Sequence, residues 1–386
     1  MHETGIEPYF VMKDGKKLRF GYTTGTCASA AAKAATMMLL TGKTPPSVRL
    51  MTPKGIELDL EVLEPEYKEG AASCAIKKFS GDDPDVTDGV LVYAEAKLRA
   101  EPGVGVDGGV GVGRVTKPGL KQPIGAAAIN PVPMEMIRRA AEEAMDDCGA
   151  TVGIDVTISI PAGVELAKKT FNPRLGIMGG ISVLGTSGIV EPMSEEALLA
   201  SIELEVRQKH ALGCSRVIIT PGNYGADFAK AVCSIPETEL VKCSNFVGKV
   251  VDMAVGEGFG EVLLIGHIGK LVKVSGGVMN THSREADCRA ELMAVGAIRA
   301  GGDAELARRI LECVTTDEML RILGEAGLLE KAMSAIGERI DFYLKNRVRD
   351  KCVIGAIVFS EEYGTLITTG PAGAWLEEMR KREKSE

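Results

Sequence analysis

The sequence is poor in aromatic residues and in positive charge. Phe, Trp and Tyr make up 4% of its 386 residues, and 45 Lys and Arg against 53 Asp and Glu leave a formal charge of −8. Proteins that bind nucleic acid need basic surface to neutralise phosphates, and those that bind single strands also stack bases on aromatic rings. We therefore expect no nucleic-acid partner, but a small ligand held by local cations.

The chain also lacks a Cys-x-x-Cys pair. Its nine cysteines are an odd number, spread from Cys27 to Cys352. Because structural zinc sites and redox pairs need closely spaced cysteines, neither is indicated, and we expect reduced thiols and no protein-bound metal. The aspartates in residues 80–89 do not have the spacing of a calcium loop, so a solvated acidic turn is the simpler interpretation.

No apolar run reaches the length that crosses a bilayer, and the N-terminus has no charged-then-apolar leader. A membrane-spanning helix needs about 20 largely apolar residues. These absences predict a soluble, cytoplasmic protein without a membrane partner. The sequence does not settle the oligomeric state, and a homo-oligomer stays open.

Glycine is abundant, with 46 residues, and it is concentrated in three segments. The longest, residues 171–192, is almost free of charge and rich in hydrogen-bonding groups. Its candidate binding residues are Asn172, Arg174, Ser182, Thr186 and Ser187. Glycine permits positive φ and close approach of the backbone to another group, so this composition predicts a binding wall. A pair of tight turns between apolar strands is the alternative.

The second segment, residues 22–29, runs into an alanine-rich stretch and predicts a helix from about Thr24 to Leu40. Thr23, Thr24 or Thr26 can cap its first turn, and the positive end of the helix dipole there favours an anionic group. Capping alone also explains the threonines. The small side chains of the helix favour close packing against a sheet.

The third segment, residues 103–119, alternates glycine and valine before Arg114 and Lys117. Gly103, Gly105 and Gly108 match Gly-x-Gly-x-x-Gly, but no helical pattern follows until about residue 132, so the context of a dinucleotide fingerprint is missing. We expect a glycine-weakened strand or a flexible loop. Neither this segment nor the second has the lysine–hydroxyl pair of a Walker motif, which ranks a phosphate-ligand enzyme low.

After residue 192 the pattern changes to helices that alternate with short β-branched runs. We therefore predict an α+β domain over residues 1–192, which carries the glycine-rich segments, and an α/β Rossmann-like domain with a mainly parallel sheet over residues 193–386.

Ligands bind beyond the carboxyl ends of parallel strands. Two such strands are predicted at Arg216–Thr220 and Glu261–Ile265. The candidate cofactor-binding residues follow them: Gly222, Asn223, Tyr224, Gly266, His267, Gly269 and Lys270. An ordinary loop histidine, hydrogen-bonded to backbone, is the alternative for His267.

Residues 18–28, 113–120, 128–133 and 171–192 closely resemble the CbiD family, the cobalt-precorrin-5B C-1 methyltransferases of the oxygen-independent vitamin B12 pathway. The motifs occur in order and span nearly the whole chain. The resemblance implies an N-terminal α+β domain, a C-terminal α/β domain and an active cleft between them. It also implies methyl transfer from S-adenosyl-L-methionine to C-1 of the corrinoid substrate, giving cobalt-precorrin-6A. The cobalt belongs to the substrate.

The implied substrate carries acetate and propionate carboxylates, so an acidic enzyme must concentrate cations where it binds. Arg114, Lys117, Arg174, Lys270 and Lys273 lie beside glycine-rich segments, although a solvated surface charge is as good an interpretation of each lysine. We favour Arg174 among them, because a guanidinium group can bind a carboxylate in two places. Thr23, Thr24 and Thr26 are further candidates for substrate binding.

A base for any proton lost after methylation could be His267, Glu191 or Asp107, and the sequence does not choose among them. The chemistry itself asks for little covalent help, because the sulfonium is already activated. A non-catalytic corrinoid carrier or assembly partner in the same pathway is the competing hypothesis.

Overall fold

The chain divides into two units, Met1–Glu195 and Glu196–Glu386, and each buries its own hydrophobic residues. The computed structural model describes residues 3–170, 172–233 and 235–383, without the side chains of residues 223, 232–233, 237 and 380–383. No helix in the described ranges is both long and apolar enough to cross a membrane. Nor do the same ranges gather three His, Cys, Asp or Glu side chains into a group able to hold a metal ion.

The elements of the first unit are short strands around two long helices. In chain order they are β1 (Phe10–Lys13), β2 (Lys16–Arg19), β3 (Gly21–Tyr22), α1 (Thr24–Thr41), β4 (Ser47–Met51), β5 (Glu57–Glu61), β6 (Leu63–Lys68), β7 (Ala71–Lys77), β8 (Leu91–Arg99), β9 (Val104–Gly108), β10 (Gly111–Val112), β11 (Arg114–Val115), α2 (Pro131–Asp147), β12 (Gly153–Ser159), α3 (Gly163–Leu166), β13 (Ile177–Met178), β14 (Gly180–Ile181) and β15 (Ile189–Val190). A 3-10 turn, Ala167–Lys169, follows α3.

The core of this unit lies between α1, α2 and a five-stranded sheet of order β6-β7-β8-β12-β9. All neighbouring strands are antiparallel except β12 and β9, which run parallel. Helix α1 is capped by the Thr23 side chain and ends at Gly42, whose φ of 68° suits only glycine without strain. Its alanines are buried, so the helix packs closely on β7 and β8, as its small residues predict.

The second unit alternates helices and strands. In chain order it has α4 (Glu195–Ala211), β16 (Arg216–Thr220), α5 (Asn223–Cys233), β17 (Leu240–Lys242), α6 (Val247–Glu257), β18 (Glu261–His267), α7 (Ile268–Leu271), α8 (Arg289–Arg299), α9 (Ala304–Leu311), α10 (Thr316–Glu325), α11 (Leu329–Val348), β19 (Val353–Ser360), β20 (Gly364–Thr368) and α12 (Ala372–Glu383). Helix α7 continues into a 3-10 turn, Val272–Gly276.

These strands form a mixed sheet of order β17-β16-β18-β19-β20, in which β20 alone of the five runs antiparallel to its neighbour. Apolar residues of α5 and α12 cover one face, and those of α6 and α11 belong to the core on the other. The chain passes from β16 to β17 on one side and then crosses to β18 on the other. The strand order therefore reverses between β16 and β18, which is where open α/β sheets bind ligands.

Several boundaries differ from the sequence prediction. Strand β18 continues through Gly266 and His267, because these residues pair with Val358 and Phe359 of β19. The sequence pattern predicts a helix from about Arg284, whereas α8 begins five residues later, at Arg289. Strand β17 and helix α3 were not predicted, since runs of three and four residues carry too little periodicity.

Candidate functional site

The glycine-rich segments of the first unit lie together. Strand β14 of residues 171–192 pairs with β10 of residues 103–119, and β13 pairs with β11. Strand β15 pairs with β3, immediately before α1. All three segments that the sequence singles out therefore meet in one region of this unit, although Phe171 lies outside the described residues.

Most of these glycines serve the packing of one backbone segment on another. A Cβ atom at Gly111 would lie 1.7 Å from the carbonyl oxygen of Ile160, and one at Gly180 would lie 2.2 Å from the carbonyl oxygen of Gly111. Real Cβ atoms essentially never come this close. At Gly179, by contrast, a Cβ would meet no atom within 4 Å. Gly111 and Gly180 therefore lie where backbone segments approach too closely for any side chain.

Two of the three threonines of the second segment, Thr24 and Thr26, bind main chain of residues 184–188 through their hydroxyls. The hydroxyl of Thr24 accepts a hydrogen bond from the N–H of Leu184 at 3.0 Å, and Thr26 donates to the carbonyl of Gly188 at 2.6 Å. Thr23 accepts from the N–H of Thr26 at 3.2 Å and caps the helix. The Thr24 and Thr26 hydroxyls anchor a neighbouring loop, and with the Thr23 cap they occupy the start of α1 with the protein's own groups.

Three polar side chains within residues 171–192 make hydrogen bonds to this segment itself or to Thr170 just before it. Ser182 donates to the Asn172 side chain at 2.7 Å, and Asn172 donates to the Thr170 hydroxyl at 2.8 Å. Ser187 donates to a main-chain carbonyl two residues further on. Thr186 is exposed. Of these five predicted binding residues, Thr186 and Arg174 are exposed, and the hydrogen bonds of Asn172, Ser182 and Ser187 shape the segment.

Arg114 and Asp107 form a two-pronged ion pair. Arg114 donates to the two carboxylate oxygens at 2.7 and 2.9 Å and to the carbonyl of Gly108 at 2.6 Å. The hydrogen bonds from Arg114 hold the pKa of Asp107 below its ordinary value, and the same contact raises the pKa of Arg114. A paired carboxylate with a lowered pKa is a weak proton acceptor, which argues against Asp107 as the base.

Two further cations border the same region. Lys117 donates to the carbonyl of Arg174 at 3.5 Å, and a Cβ at Gly176 would collide with the Lys117 side chain at 2.5 Å. The Arg174 side chain is exposed. Glu191 pairs with Lys54, so this carboxylate is also neutralised by a neighbour.

In the second unit, the residues that follow β16 lie close to the end of β18 and to α7 at the carboxyl edge of the sheet. Gly222 has a φ of 83°, and a Cβ there would lie 3.3 Å from the Lys270 Nζ atom. A Cβ at Gly266 would lie 3.0 Å from the Pro221 ring. The structure thus brings the two predicted cofactor-binding groups together, while the side chain of Asn223 lies outside its described part.

His267 ends β18 and caps α7. Its Nδ1 atom accepts the N–H of Gly269 at 3.1 Å, so a neutral ring carries its proton on Nε2 and acts there as a donor. The ring lies 6.4 Å from that of the exposed Tyr224 and 5.5 Å from that of Phe359. In this geometry His267 supplies a hydrogen-bond donor, and it could accept a proton at Nδ1 only by breaking the cap.

Sequence reasoning missed residues that follow β17 at the same edge. Ser244 has a φ of 53°, which is rare outside glycine, and Asn245 accepts the N–H of Thr281 at 2.9 Å. The Asn245 side chain also donates to Asn280. A left-handed Ser-Asn step after a parallel strand is a signal for such a site, but β17 itself was not recognised.

A buried hydroxyl group also lies at this edge. Thr220 ends β16 with none of its surface exposed, and its Oγ1 atom makes no hydrogen bond among the described residues. A Cβ at Gly225 would lie 1.7 Å from this oxygen. Gly225, in the first turn of α5, therefore leaves the space that the Thr220 side chain occupies.

Comparison with known proteins gives matches over nearly the whole chain. The CbiD family model matches residues 11–192, and the model of the CbiD C-terminal domain matches residues 280–370. A cobalt-precorrin-5B C(1)-methyltransferase of Alkaliphilus metalliredigens is 46% identical over 96% of this chain and 97% of its own length. One of the same name from Thermoanaerobacter sp. is 47% identical over 95% and 99%.

Among solved structures, the cobalamin biosynthesis protein cbiD of Archaeoglobus fulgidus is 29% identical over 72% of this chain and 86% of that chain, with a TM-score of 0.38. The family matches and the relatives confirm the resemblance in the sequence motifs. On these matches, the chain belongs to the CbiD family.

Proposed function

We propose that this protein methylates C-1 of cobalt-precorrin-5B with S-adenosyl-L-methionine and yields cobalt-precorrin-6A in cobalamin biosynthesis. One observation carries the proposal. Relatives named cobalt-precorrin-5B C(1)-methyltransferase match this chain at 46% and 47% identity over nearly its full length. We infer a cytoplasmic enzyme whose partner is a small corrinoid, with no nucleic-acid or membrane partner.

The second unit is our candidate for the methyl-donor site, with its mixed sheet acting as a Rossmann-like sheet. Support comes from the reversal of strand order between β16 and β18, with Gly222, Tyr224 and Lys270 beside it. The Lys270 ammonium suits the carboxylate of the donor's methionine half. The His267 Nε2 donor, Gly266 and Gly269 complete the set at the end of β18.

The first unit is our candidate for the corrinoid site. Arg114, Lys117 and Arg174 supply positive charge for peripheral carboxylates beside the glycine-rich strands. Met178 pairs directly with Arg114 across the β11–β13 ladder, and its side chain is 52% exposed. Directly opposed residues share one face of a sheet. Met178 can therefore contact the flat ring of the corrinoid while Arg114 beside it binds a carboxylate at the ring's edge.

S-adenosyl-L-methionine supplies an activated methyl group on a sulfonium. The protein's own task is then to position the two ligands and to exclude water. Asp107 and Glu191 are both paired with cations, and His267 has its Nδ1 lone pair in use. We therefore assign catalysis chiefly to positioning.

Anaerobic incubation with cobalt-precorrin-5B and methyl-labelled donor tests this function. We expect a product heavier by one labelled methyl, with no label in a reaction that lacks protein. A corrinoid carrier would instead bind the corrinoid and leave S-adenosylhomocysteine unbound in calorimetry. Corrinoid binding without methyl incorporation or S-adenosylhomocysteine binding would replace the methyltransferase with the carrier.

A further inference from the structure

We propose that Lys273 is a positioning residue of the donor site. Its buried ammonium group holds residues 280–282 at the carboxyl edge of the second unit's sheet, where Thr281 adds a hydroxyl to the donor's polar contacts. The ligand named here rests on the proposed function, whereas the positioning of residues 280–282 does not.

Lys273 lies in the 3-10 turn that follows α7, and only 1% of its surface is exposed. Its Nζ atom donates to the carbonyl oxygen of Thr281 at 3.2 Å and lies 3.9 Å from the Asp287 carboxylate. Burial of an ammonium group is costly unless it is paired and hydrogen-bonded. Burial lowers the pKa of Lys273, and the charge of Asp287 opposes this effect. We call residues 280–282 the strap. The buried Lys273 ammonium group binds the strap from one side, through the carbonyl of Thr281.

The strap is tied from the other side by residues that follow β17. The N–H of Thr281 donates to the carbonyl of Asn245 at 2.9 Å, and the Asn280 side chain accepts from Asn245 and from the N–H of His282. Both main-chain polar groups of Thr281 are therefore used. One bond reaches the turn after α7, and the other reaches the end of β17.

The Thr281 hydroxyl has no such partner. Thr281 is 3% exposed, and its Oγ1 atom makes no hydrogen bond among the residues that the structure describes. Thr220, at the end of β16, shares this condition. Buried hydroxyls are normally satisfied. Because Thr281 lies on a segment joined to the carboxyl edge, we infer that its hydroxyl serves a polar group of the methyl donor, such as a ribose hydroxyl or the methionine carboxylate.

The test uses the full-length protein and three lysine variants. Lys273→Met keeps the apolar stem and removes the positive charge and the hydrogen-bonding N–H groups, whereas Lys273→Arg keeps both. Lys331→Met is a control on an exposed lysine of α11. We expect Lys273→Met to weaken S-adenosylhomocysteine binding about tenfold or more in calorimetry. Amide hydrogen exchange at Thr281 should become faster. The KM for the corrinoid should not change, Lys273→Arg should recover part of the loss, and Lys331→Met should behave as wild type.

Thr281→Val keeps both main-chain hydrogen bonds of residue 281. This variant tests the proposal even if Lys273→Met does not fold. We expect this variant to retain or gain thermal stability and to bind S-adenosylhomocysteine about tenfold more weakly. Unchanged affinity in Thr281→Val overturns the contact with the donor, and unchanged exchange at Thr281 in folded Lys273→Met overturns the positioning role. A wild-type protein that fails to bind S-adenosylhomocysteine contradicts the proposed function and the named ligand. The exchange data then still decide whether Lys273 positions the strap.

Discussion

Thr26 donates its hydroxyl hydrogen to the carbonyl oxygen of Gly188 at 2.6 Å, across 162 positions of sequence. Thr26 is fully buried, and the same carbonyl also accepts the N–H of Thr23 at 3.0 Å. The first turn of α1 therefore sets the path of the glycine-rich segment. Any role of that segment in substrate binding depends on a helix far away in the chain.

We expect Thr26→Val to destabilise the protein by about 1–2 kcal/mol, because it removes the donor to a buried carbonyl at nearly constant volume. Thr36 is the matched control, since it is buried on the same helix and its hydroxyl makes no hydrogen bond among the described residues. Thr36→Val should be neutral or stabilising. Thermal unfolding measures both, and equal losses in the two variants would contradict this role of Thr26.

Substitutions of Asp107 and Arg114 distinguish two roles of Asp107, as the ion-pair partner of Arg114 or as a catalytic base. Asp107→Asn should lower the KM for the corrinoid several-fold and change kcat by less than about threefold, because it frees the Arg114 guanidinium for substrate carboxylates. Arg114→Met should raise that KM about tenfold. Steady-state kinetics decide the matter. A loss of about 100-fold in kcat for Asp107→Asn would restore Asp107 as the base.

His267→Asn and His267→Ala distinguish a cap from a proton acceptor. Asparagine can accept the Gly269 N–H as an N-cap, whereas alanine cannot, and the loss of such a cap costs about 1 kcal/mol. We expect His267→Asn to keep kcat within about tenfold of wild type. His267→Ala should lose both thermal stability and affinity for the methyl donor. Kinetics and thermal melts of the two variants test this. If both lose about 100-fold or more in kcat while folded, the imidazole acts as acid or base.

The first unit should lose stability in acid through Asp85. Burial raises the pKa of this carboxyl, but the charge of Lys78 and hydrogen bonds from Lys78 and Thr87 outweigh burial and leave its pKa below the ordinary value. Lys78 is 3% exposed, and its Nζ atom lies 2.7 Å from the carboxylate. A lowered pKa contributes stability that is present above about pH 3.9 and is lost as the pH falls through the folded value.

Lys78→Met should therefore cost about 3 kcal/mol at pH 7, and it should make unfolding less dependent on pH below about pH 4. Urea unfolding at several pH values measures the effect. Lys77→Met, at the exposed neighbour, is the control and should retain the wild-type pH profile. An unchanged acid transition in Lys78→Met would contradict the importance of this pair.

Local pattern predicted the elements whose residues act within a few positions of one another. The helix expected from Thr24 to about Leu40 is found at Thr24–Thr41, because its alanines and its threonine cap favour a helix without help from elsewhere. The strand expected at Arg216–Thr220 is found with the same bounds. The end of β18 was not predicted. Its pairing with β19, about 90 residues later, extends the strand through Gly266 to His267.

By itself the sequence determined the family, the candidate segments and most of the elements, because glycine spacing, caps and periodicity act over short distances. Tertiary structure alone decided which polar groups remain available. It assigned Thr24, Thr26 and Ser182 to internal hydrogen bonds, paired Asp107 with Arg114, and buried Lys273 beside Thr281. Composition cannot distinguish these outcomes, since a hydroxyl or a charge binds whichever partner folding brings to it.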